Sequence, residues 1–229
     1  MEKMVLFHGS RSIISQPRKD LGRSWNDYGQ GFYCTKEESL AGEWACSEGN
    51  DGFVNRYELD LDHLNVLVLD SRFNILNWLA VLLENRKFDL RNPLAADARQ
   101  YLLKHFSVPY RDCDVLIGYR ADDSYFSFAQ DFLSNQISIL TLSRAMVLGK
   151  LGLQVFLQSE KAFGQIRFLS SRIEPCRDFF PAFRNRDEEA RERYLKDRNE
   201  PSWEGLFVRD LMKEGIADDD QRIPRIVLE

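Results

Sequence analysis

Short apolar segments, irregularly spaced between residues 4 and 169, constrain the fold of this chain more than any other feature. Their length and alternation are typical of half-buried or fully buried β-strands. The predicted strands are residues 4–8, 31–34, 53–59, 64–69, 114–118, 153–157 and 166–169. Helices fall unevenly between them, so the regular strand–helix alternation of a dinucleotide-binding Rossmann sheet is missing. The pattern predicts an α+β fold.

Segments with helical spacing separate these strands. Thr35 and Glu38 have the capping-box spacing, which predicts a helix from Thr35 to about Cys46. Further helices are predicted at residues 75–83, 94–106, 125–133, 142–151 and 159–163. Residues 11–28 are rich in Arg, Ser, Gly and Asp, and we expect them to form a loop.

A change of composition separates the last part of the chain from the rest. Residues 172–198 hold many Arg, Asp and Glu in alternation, which is typical of a solvated face and also suits a site for a partner protein or a nucleic acid. We therefore predict one domain over residues 1–171 and a helical extension over residues 172–229.

Two helices are predicted in this extension. Residues 186–196 have the pattern of a solvated helix. Residues 203–213 form a more apolar helix, with Ser202 as its N-cap and Gly215 just past its end.

Charge and cysteine content exclude several classes of protein. The formal net charge of −5 argues against a protein that coats nucleic acid by charge alone. The four cysteines form no CxxC pair, and neither they nor the histidines have metal-ligand spacing, so we expect reduced thiols and no metal. Neither a cleavable signal nor an apolar stretch of membrane-spanning length is present. We expect a cytoplasmic protein with no membrane partner, acting in the producing cell or, if a dedicated system exports it, in a target cell.

Three segments carry candidate chemistry. The first is Phe-His-Gly-Ser-Arg at residues 7–11, and the second is Gly-Gln-Gly-Phe-Tyr-Cys-Thr at residues 29–35. The second continues into the predicted helix that bears Ala41 and Trp44. The third is Leu-Gln-Val-Phe-Leu at residues 153–157. Each segment alone is weak evidence for a functional site, because a His before Gly, a Tyr in a strand or a Trp on a helix usually has a structural role.

Together and in this order, the segments resemble the ADP-ribosyltransferase superfamily, in the branch of diphtheria-type toxins and poly-ADP-ribose polymerases. They are also similar to a bacterial family of uncharacterised proteins in which FHGS, GxGFYxT, AxxWA, IGxxADD and NQxxFxTEKA segments recur. The corresponding segments here are residues 7–10, 29–35, 41–45, 117–123 and 153–162. This resemblance spans residues 4–170 and implies a split mixed β-sandwich with flanking helices.

The resemblance implies a binding site for NAD⁺ as the substrate. Tyr33 and Trp44 would hold the cationic nicotinamide ring by stacking and cation–π attraction, and the backbone of Gly9 would meet its carboxamide. His8 would bind a ribose hydroxyl. The residues expected to bind NAD⁺ are His8, Gly9, Ser10, Arg11, Gly31, Tyr33, Ala41 and Trp44.

Arg11, with Ser10, would lie toward the adenosine and the pyrophosphate, because a guanidinium suits phosphate. Ala41 stands where the polymerases carry a Ser, so one contact to the carboxamide is missing.

The catalytic residues implied by the resemblance are His8, Tyr33 and Gln154. Related enzymes usually carry a Glu at the position of Gln154, where it favours the cationic sugar of the transition state. Gln keeps the hydrogen bond but supplies neither charge nor a base. Mono-ADP-ribosyl transfer is therefore expected rather than chain elongation, with NAD⁺ glycohydrolysis or a catalytically silent NAD⁺ or ADP-ribose binding module as the alternatives.

Other carboxylates remain open as candidates. Glu160 could replace the missing Glu, although a first-turn helix residue is the commoner role. The pair Asp122 and Asp123 could act as general acid and base or bind magnesium, although a turn or an N-cap is commoner.

The expected partners follow from the same resemblance. The acceptor of ADP-ribose is a macromolecule, and the sequence leaves protein and nucleic acid open. Members of the bacterial family often stand beside small partner genes, which implies a toxin with a small antitoxin protein.

Overall fold

The fold is described from a computed structural model that covers residues 3–121, 123–146, 148, 152–199 and 205–228. Its strands are β1 (Lys3–Ser10), β2 (Phe32–Cys34), β3 (Gly52–Asp60), β4 (Val66–Val68), β5 (Val115–Tyr119), β6 (Leu153–Leu157) and β7 (Ile166–Glu174). They form a three-stranded sheet in the order β1-β3-β7 and a four-stranded sheet in the order β2-β6-β5-β4. The predicted α+β class is confirmed.

The first sheet is antiparallel throughout, whereas the second is mixed. β1 and β7 both run antiparallel to β3, which lies between them. In the second sheet β6 runs antiparallel to β2 and β5, and β4 runs parallel to β5.

An apolar layer is shared by the two sheets. Leu6 and Tyr57 from the first sheet and Val115 and Val155 from the second belong to one cluster of buried side chains. Alternate residues of a strand point to opposite faces, so Leu116 faces away from this layer and packs in a second cluster formed largely by helices. The four-stranded sheet is therefore covered by apolar side chains on both faces.

The helices are α1 (Glu38–Ala45), α2 (Ile75–Asn85), α3 (Pro93–His105), α4 (Asp123–Leu133), α5 (Ile139–Ala145), α6 (Glu160–Gln165), α7 (Cys176–Asn199) and α8 (Val208–Glu214). α2 is buried along almost its whole length. Asn74 caps it, because its side chain accepts hydrogen bonds from the backbone N–H groups of Leu76 and Asn77. No helix in the described ranges is long and apolar enough to cross a membrane.

The predicted start of the first helix is wrong. α1 begins at Glu38, because the backbone of Thr35 is engaged with β1. Thr35 N–H donates to the carbonyl of Phe7 at 2.9 Å, and Phe7 N–H donates to the carbonyl of Thr35 at 2.8 Å. The Thr35 hydroxyl instead accepts the backbone N–H of Glu37, the residue directly before the helix, at 3.1 Å.

The predicted helix at residues 142–151 also begins elsewhere. α5 starts at Ile139, since the hydroxyl of Ser138 accepts the backbone N–H of Thr141 and caps the first turn. Residues 147 and 149–151, where the prediction placed its end, lie outside the described residues.

The C-terminal part begins later than the composition indicated. β7 continues to Glu174, which pairs with Gly52 of β3, so the predicted boundary at residue 171 falls inside a strand. α7 is much longer than the predicted helix at residues 186–196. Gly215 ends α8 with φ of +67°, as predicted. Ser202 and Trp203 lie outside the described residues, and Phe207 is the N-cap of α8.

The extension is anchored in the helical core. Buried side chains of its last residues belong to the same cluster as α2; they are Val208, Leu211, Ile216, Ile223 and Ile226. Asp218 accepts hydrogen bonds from the side-chain amides of Asn74 and Asn77, both at 2.8 Å. The extension therefore contributes to the stability of the whole chain.

We predict that Ile226→Ala lowers the free energy of unfolding by about 2–5 kcal/mol, because it opens a cavity in this cluster. The matched control is the neighbouring Val227→Ala, which truncates a side chain that is 62% exposed and should change stability by less than about 0.5 kcal/mol. Denaturant unfolding measures both. Equal effects of the two substitutions would contradict this packing.

Candidate functional site

A cavity of about 720 Å³ lies where β1, β2, α1, β6 and α7 come together. Its size is in the usual range for small-molecule sites, which is roughly 300–1,000 Å³. Six of the residues predicted from the three motifs line it: His8, Gly9, Gly31, Tyr33, Trp44 and Gln154. The motifs are far apart in sequence, and the two sheets bring them to one place.

Ser10, Arg11 and Ala41 do not line this cavity. The hydroxyl of Ser10 donates to the carbonyl of Ser12 and accepts the side-chain amide of Asn55 at 2.9 Å. Arg11 is exposed and donates to the hydroxyl of Ser47 at 3.4 Å. Ala41 is buried in α1.

His8 is held in one tautomer. Its Nδ1 lies 2.6 Å from the carbonyl oxygen of Tyr33, which can only accept, so Nδ1 carries the proton. Burial lowers the pKa of His8, and the hydrogen bond to Tyr33 opposes this only partly. A neutral ring with Nδ1 protonated leaves Nε2 as a hydrogen-bond acceptor at the cavity.

Gly9 allows β1 and α1 to touch. A Cβ atom at this position would lie 1.9 Å from the carbonyl oxygen of Ala41 and 2.6 Å from the backbone nitrogen of Ala45. No side chain fits there without moving the helix backbone. The glycine therefore sets the distance between His8 on the strand and Trp44 on the helix.

The ring of Tyr33 is fixed by its own hydroxyl. This hydroxyl donates to the carbonyl of Gly29 at 2.7 Å and accepts the backbone N–H of Tyr28 at 3.0 Å. The ring also packs against Phe156, with 4.7 Å between centroids. Burial raises the pKa of Tyr33, so the side chain stays neutral and serves as a rigid aromatic wall.

Trp44 lines the cavity beside a cation. The guanidinium carbon of Arg120 lies 4.7 Å from the centroid of the Trp44 ring, in cation–π contact. Within the described part of the chain, the buried indole N–H has no hydrogen-bond partner. Tyr33 and Trp44 thus share a cavity, and the nicotinamide sandwich between them stays a prediction.

Gln154 is only 3% exposed and its amide is oriented by two acceptors. Nε2 donates to the carboxylate of Asp27 at 3.0 Å and to the carbonyl of Tyr119 at 3.1 Å. Neither partner of Nε2 has a proton to give once Asp27 is ionised, so the amide nitrogen must face them. Oε1 remains as the acceptor that this side chain offers to a ligand.

Asp27 is a site residue that sequence reasoning missed. It lies in the polar loop at residues 11–28, is 5% exposed and lines the cavity. Besides Gln154, its carboxylate accepts the backbone N–H of Ala121 at 2.9 Å and lies 3.6 Å from Nε of Arg86. Burial raises its pKa, and Arg86 is the largest opposing influence. Nothing in the local sequence marks this Asp among its polar neighbours.

The cavity carries an excess of positive charge. Five arginines and two aspartates line it, in a chain whose formal net charge is −5. The arginines are Arg18, Arg23, Arg86, Arg120 and Arg191. Guanidinium groups match phosphate oxygens in geometry and charge, so this lining favours an anionic ligand.

α7 supplies one wall of the cavity, which the sequence did not indicate. Phe183, Asp187 and Arg191 are spaced by four residues, lie on one face of the helix and line the cavity. Nε of Arg191 donates to Asp187 at 2.8 Å. Nη1 of Arg186 donates to Glu43 of α1 at 3.0 Å and ties α7 to the helix that bears Trp44.

The other predicted carboxylates lie elsewhere. Glu160 begins α6, which Ser159 caps, and it lines a separate cavity of about 310 Å³. Asp122 and the side chain of Asp123 lie outside the described residues. Across the described ranges, no group of three or more His, Cys, Asp or Glu side chains is arranged to hold a metal ion.

A family model described as protein of unknown function (DUF3990) matches residues 4–168, and the chain belongs to that family. No curated protein and no solved structure matches it. The matched range contains all the cavity residues that the motifs predicted, and it ends inside β7. The α7 wall lies outside it.

We predict that Gly9→Ala destabilises the protein and distorts the cavity, because the added methyl group collides with the α1 backbone. The expected cost is roughly 1–3 kcal/mol, as for other overpacking substitutions. The control is Gly164→Ala. An added Cβ meets nothing within 4 Å there, and Ala stabilises a helix relative to Gly, so this variant should be no less stable than the wild type. Thermal unfolding of both variants is the measurement, and a neutral Gly9→Ala would refute the contact.

Proposed function

We propose that this protein is a mono-ADP-ribosyltransferase that uses NAD⁺ as its substrate and modifies a macromolecule. One observation carries the proposal: His8, Tyr33, Trp44 and Gln154, chosen from three separate motifs, line a single cavity. The resemblance of these motifs to ADP-ribosyltransferases supplies the identity of the ligand.

The charge and the shape of the cavity support a dinucleotide. Arg23 comes from the loop at residues 11–28 and offers a guanidinium group to the pyrophosphate, whereas the guanidinium of Arg18, which lines the same cavity, pairs with Asp20. Tyr33 offers a rigid face to the cationic nicotinamide ring, worth roughly 0.5–2 kcal/mol. Trp44 offers a second face where Arg120 now stacks, so the ring would share or displace that cation.

The reaction breaks the bond between the ribose and the nicotinamide nitrogen. The electron pair of this bond leaves with nicotinamide, which becomes neutral, and the ribose becomes an oxocarbenium-like cation. Nε2 of His8 and Oε1 of Gln154 are acceptors for ribose hydroxyls, and such contacts act most strongly if they tighten in the transition state. The acceptor then bonds to the sugar carbon and releases its proton.

Two alternatives share this site. With water as the acceptor, the same residues would make an NAD⁺ glycohydrolase. A silent NAD⁺ or ADP-ribose binding module is favoured by a specific observation: residue 154 is Gln, which carries neither a charge nor a base. The further proposal of a toxin with a small antitoxin rests on the bacterial resemblance alone, and the cytoplasmic setting stays a prediction from the sequence.

One assay separates the three functions. The full chain is incubated with NAD⁺ labelled in the nicotinamide ring and in the adenylate phosphate, with and without lysate as a source of protein and nucleic acid. The transferase releases nicotinamide and transfers the phosphate label to a macromolecule. The hydrolase releases nicotinamide without transfer, and the silent module binds NAD⁺ without release. Nuclease or protease digestion of the labelled product identifies the acceptor class.

We predict that His8→Ala lowers nicotinamide release by at least about 100-fold, as expected for loss of one preorganised polar contact. The fold should persist, because His8 is only partly buried and its ring, which packs against Phe32, makes a single hydrogen bond among the described residues, to the carbonyl of Tyr33. His63→Asn is the control, since His63 is exposed and has a φ of +65° that Asn tolerates. Full activity in folded His8→Ala protein would remove the proposal.

We predict that the α7 wall determines transfer to the acceptor. Phe183→Ala/Arg191→Ala should reduce label transfer by about tenfold or more, as for truncation of interface anchors worth over 1 kcal/mol. Nicotinamide release to water should fall by a smaller factor than label transfer does, because Arg191 already pairs with Asp187 and the ribose and nicotinamide contacts are proposed to come from β1, β2 and β6.

The control for that experiment is Arg184→Ala/Glu188→Ala on the same helix. These two side chains pair with each other at 2.8 Å and are well exposed. If the control and the wall variant reduce transfer equally, or if the wall variant loses both activities together, α7 does not select the acceptor.

A further inference from the structure

The proposed reaction needs negative charge near the ribose, and Gln154 has none. The nearest carboxylate is in direct contact with it: Oδ2 of Asp27 lies 3.0 Å from Nε2 of Gln154. The two residues are 127 positions apart in sequence and are both almost fully buried. Both line the cavity.

This contact controls which atom Gln154 presents. With Asp27 and the Tyr119 carbonyl as acceptors on the amide nitrogen, a flipped amide would place oxygen against oxygen at both contacts. The flipped orientation is therefore unfavourable, and Oε1 stays available to a ribose hydroxyl. A charged acceptor on Nε2 also polarises the amide and makes Oε1 a stronger acceptor.

The charge itself acts over a longer range. A carboxylate in a buried, low-dielectric setting attracts a developing sugar cation more strongly than the same group in water. Burial raises the pKa of Asp27, and Arg86, 3.6 Å from Oδ1, is the largest influence that favours the ionised carboxylate against this; Arg86 also offsets part of the negative charge. The hydrogen bond from Ala121 fixes the carboxylate in place without neutralising it.

From this geometry, and resting on the proposed function, we propose that Asp27 is the positioning residue of Gln154. The pair divides between two side chains the work that one Glu does in the resembled enzymes. Gln154 touches the ribose, whereas Asp27 orients and polarises Gln154 and supplies the negative charge behind it. The competing explanation is that Asp27 only anchors the loop at residues 11–28 to the end of β5.

Substitutions that move the charge separate these explanations. Asp27→Asn keeps the size of the side chain and removes its charge. Asp27→Asn/Gln154→Glu puts the charge back, on the neighbouring side chain of the same pair. We expect Asp27→Asn to lower kcat for nicotinamide release by about 100-fold, as for loss of one preorganised contact, with KM for NAD⁺ changed by less than about threefold. We expect the double variant to recover at least about tenfold of that loss.

The control is Asp97→Asn, on the exposed face of α3 and outside the cavity lining, which should behave as the wild type. Thermal unfolding is measured for each variant. A simple anchor predicts that Asp27→Asn and the double variant both lose stability, and that kcat and KM change together without recovery. That result overturns the proposal.

The remaining outcomes are also decisive. If the wild type releases nicotinamide and folded Asp27→Asn is equally fast, the inference fails and the proposed function stands. If the wild type itself is inert toward NAD⁺, the proposed function is wrong, and this inference, which rests on it, is wrong as well. If Asp27→Asn does not fold, the double variant decides, because it keeps one carboxylate in the pair. Nicotinamide release within about tenfold of the wild type supports the proposal. A double variant that folds but is inactive overturns it.

Discussion

The pairing of β6 with strands on both of its sides is the constraint on which the rest of the site depends. On one side Phe156 stands opposite Tyr33 of β2, and on the other Gln154 stands opposite Gly118 of β5. Because both faces of this sheet are covered by apolar clusters, its register cannot slip by one residue without turning buried side chains to the wrong face. The aromatic wall and the amide of the cavity are therefore held by the core itself.

β1 joins this arrangement through two close contacts. The backbone bridge between Phe7 and Thr35 ties β1 to the end of β2, and the absence of a side chain at Gly9 lets α1 lie directly on the strand. His8 then hydrogen-bonds to the carbonyl of Tyr33 across the junction. Because three elements meet at such short range, the side chains at the cavity have little freedom, and the proposed transfer reaction would need this preorganisation.

Local patterns were sufficient for much of this structure but not for its long-range parts. Strand alternation predicted the α+β class, because it depends on residues close together in sequence. The six cavity residues came instead from the resemblance of three distant segments to a known superfamily. Asp27 was missed because its partner, Gln154, lies on a distant strand. The predicted helix start at Thr35 was wrong because the backbone of Thr35 hydrogen-bonds to Phe7 of β1, and the local capping pattern could not reveal that contact. The α7 wall was missed because alternating charges along a helix do not reveal which face is covered.

The central claim is that NAD⁺ occupies this cavity with its nicotinamide end between β1, β2 and β6. A crystal structure with a carbocyclic NAD⁺ analogue, whose nicotinamide bond resists cleavage, tests this most directly. We expect the nicotinamide ring to lie against Tyr33, its carboxamide at the backbone of Gly9, and the adjoining sugar ring beside His8 and Gln154. An analogue bound outside the cavity, or a cavity that stays free of it at saturating concentration, would contradict the account.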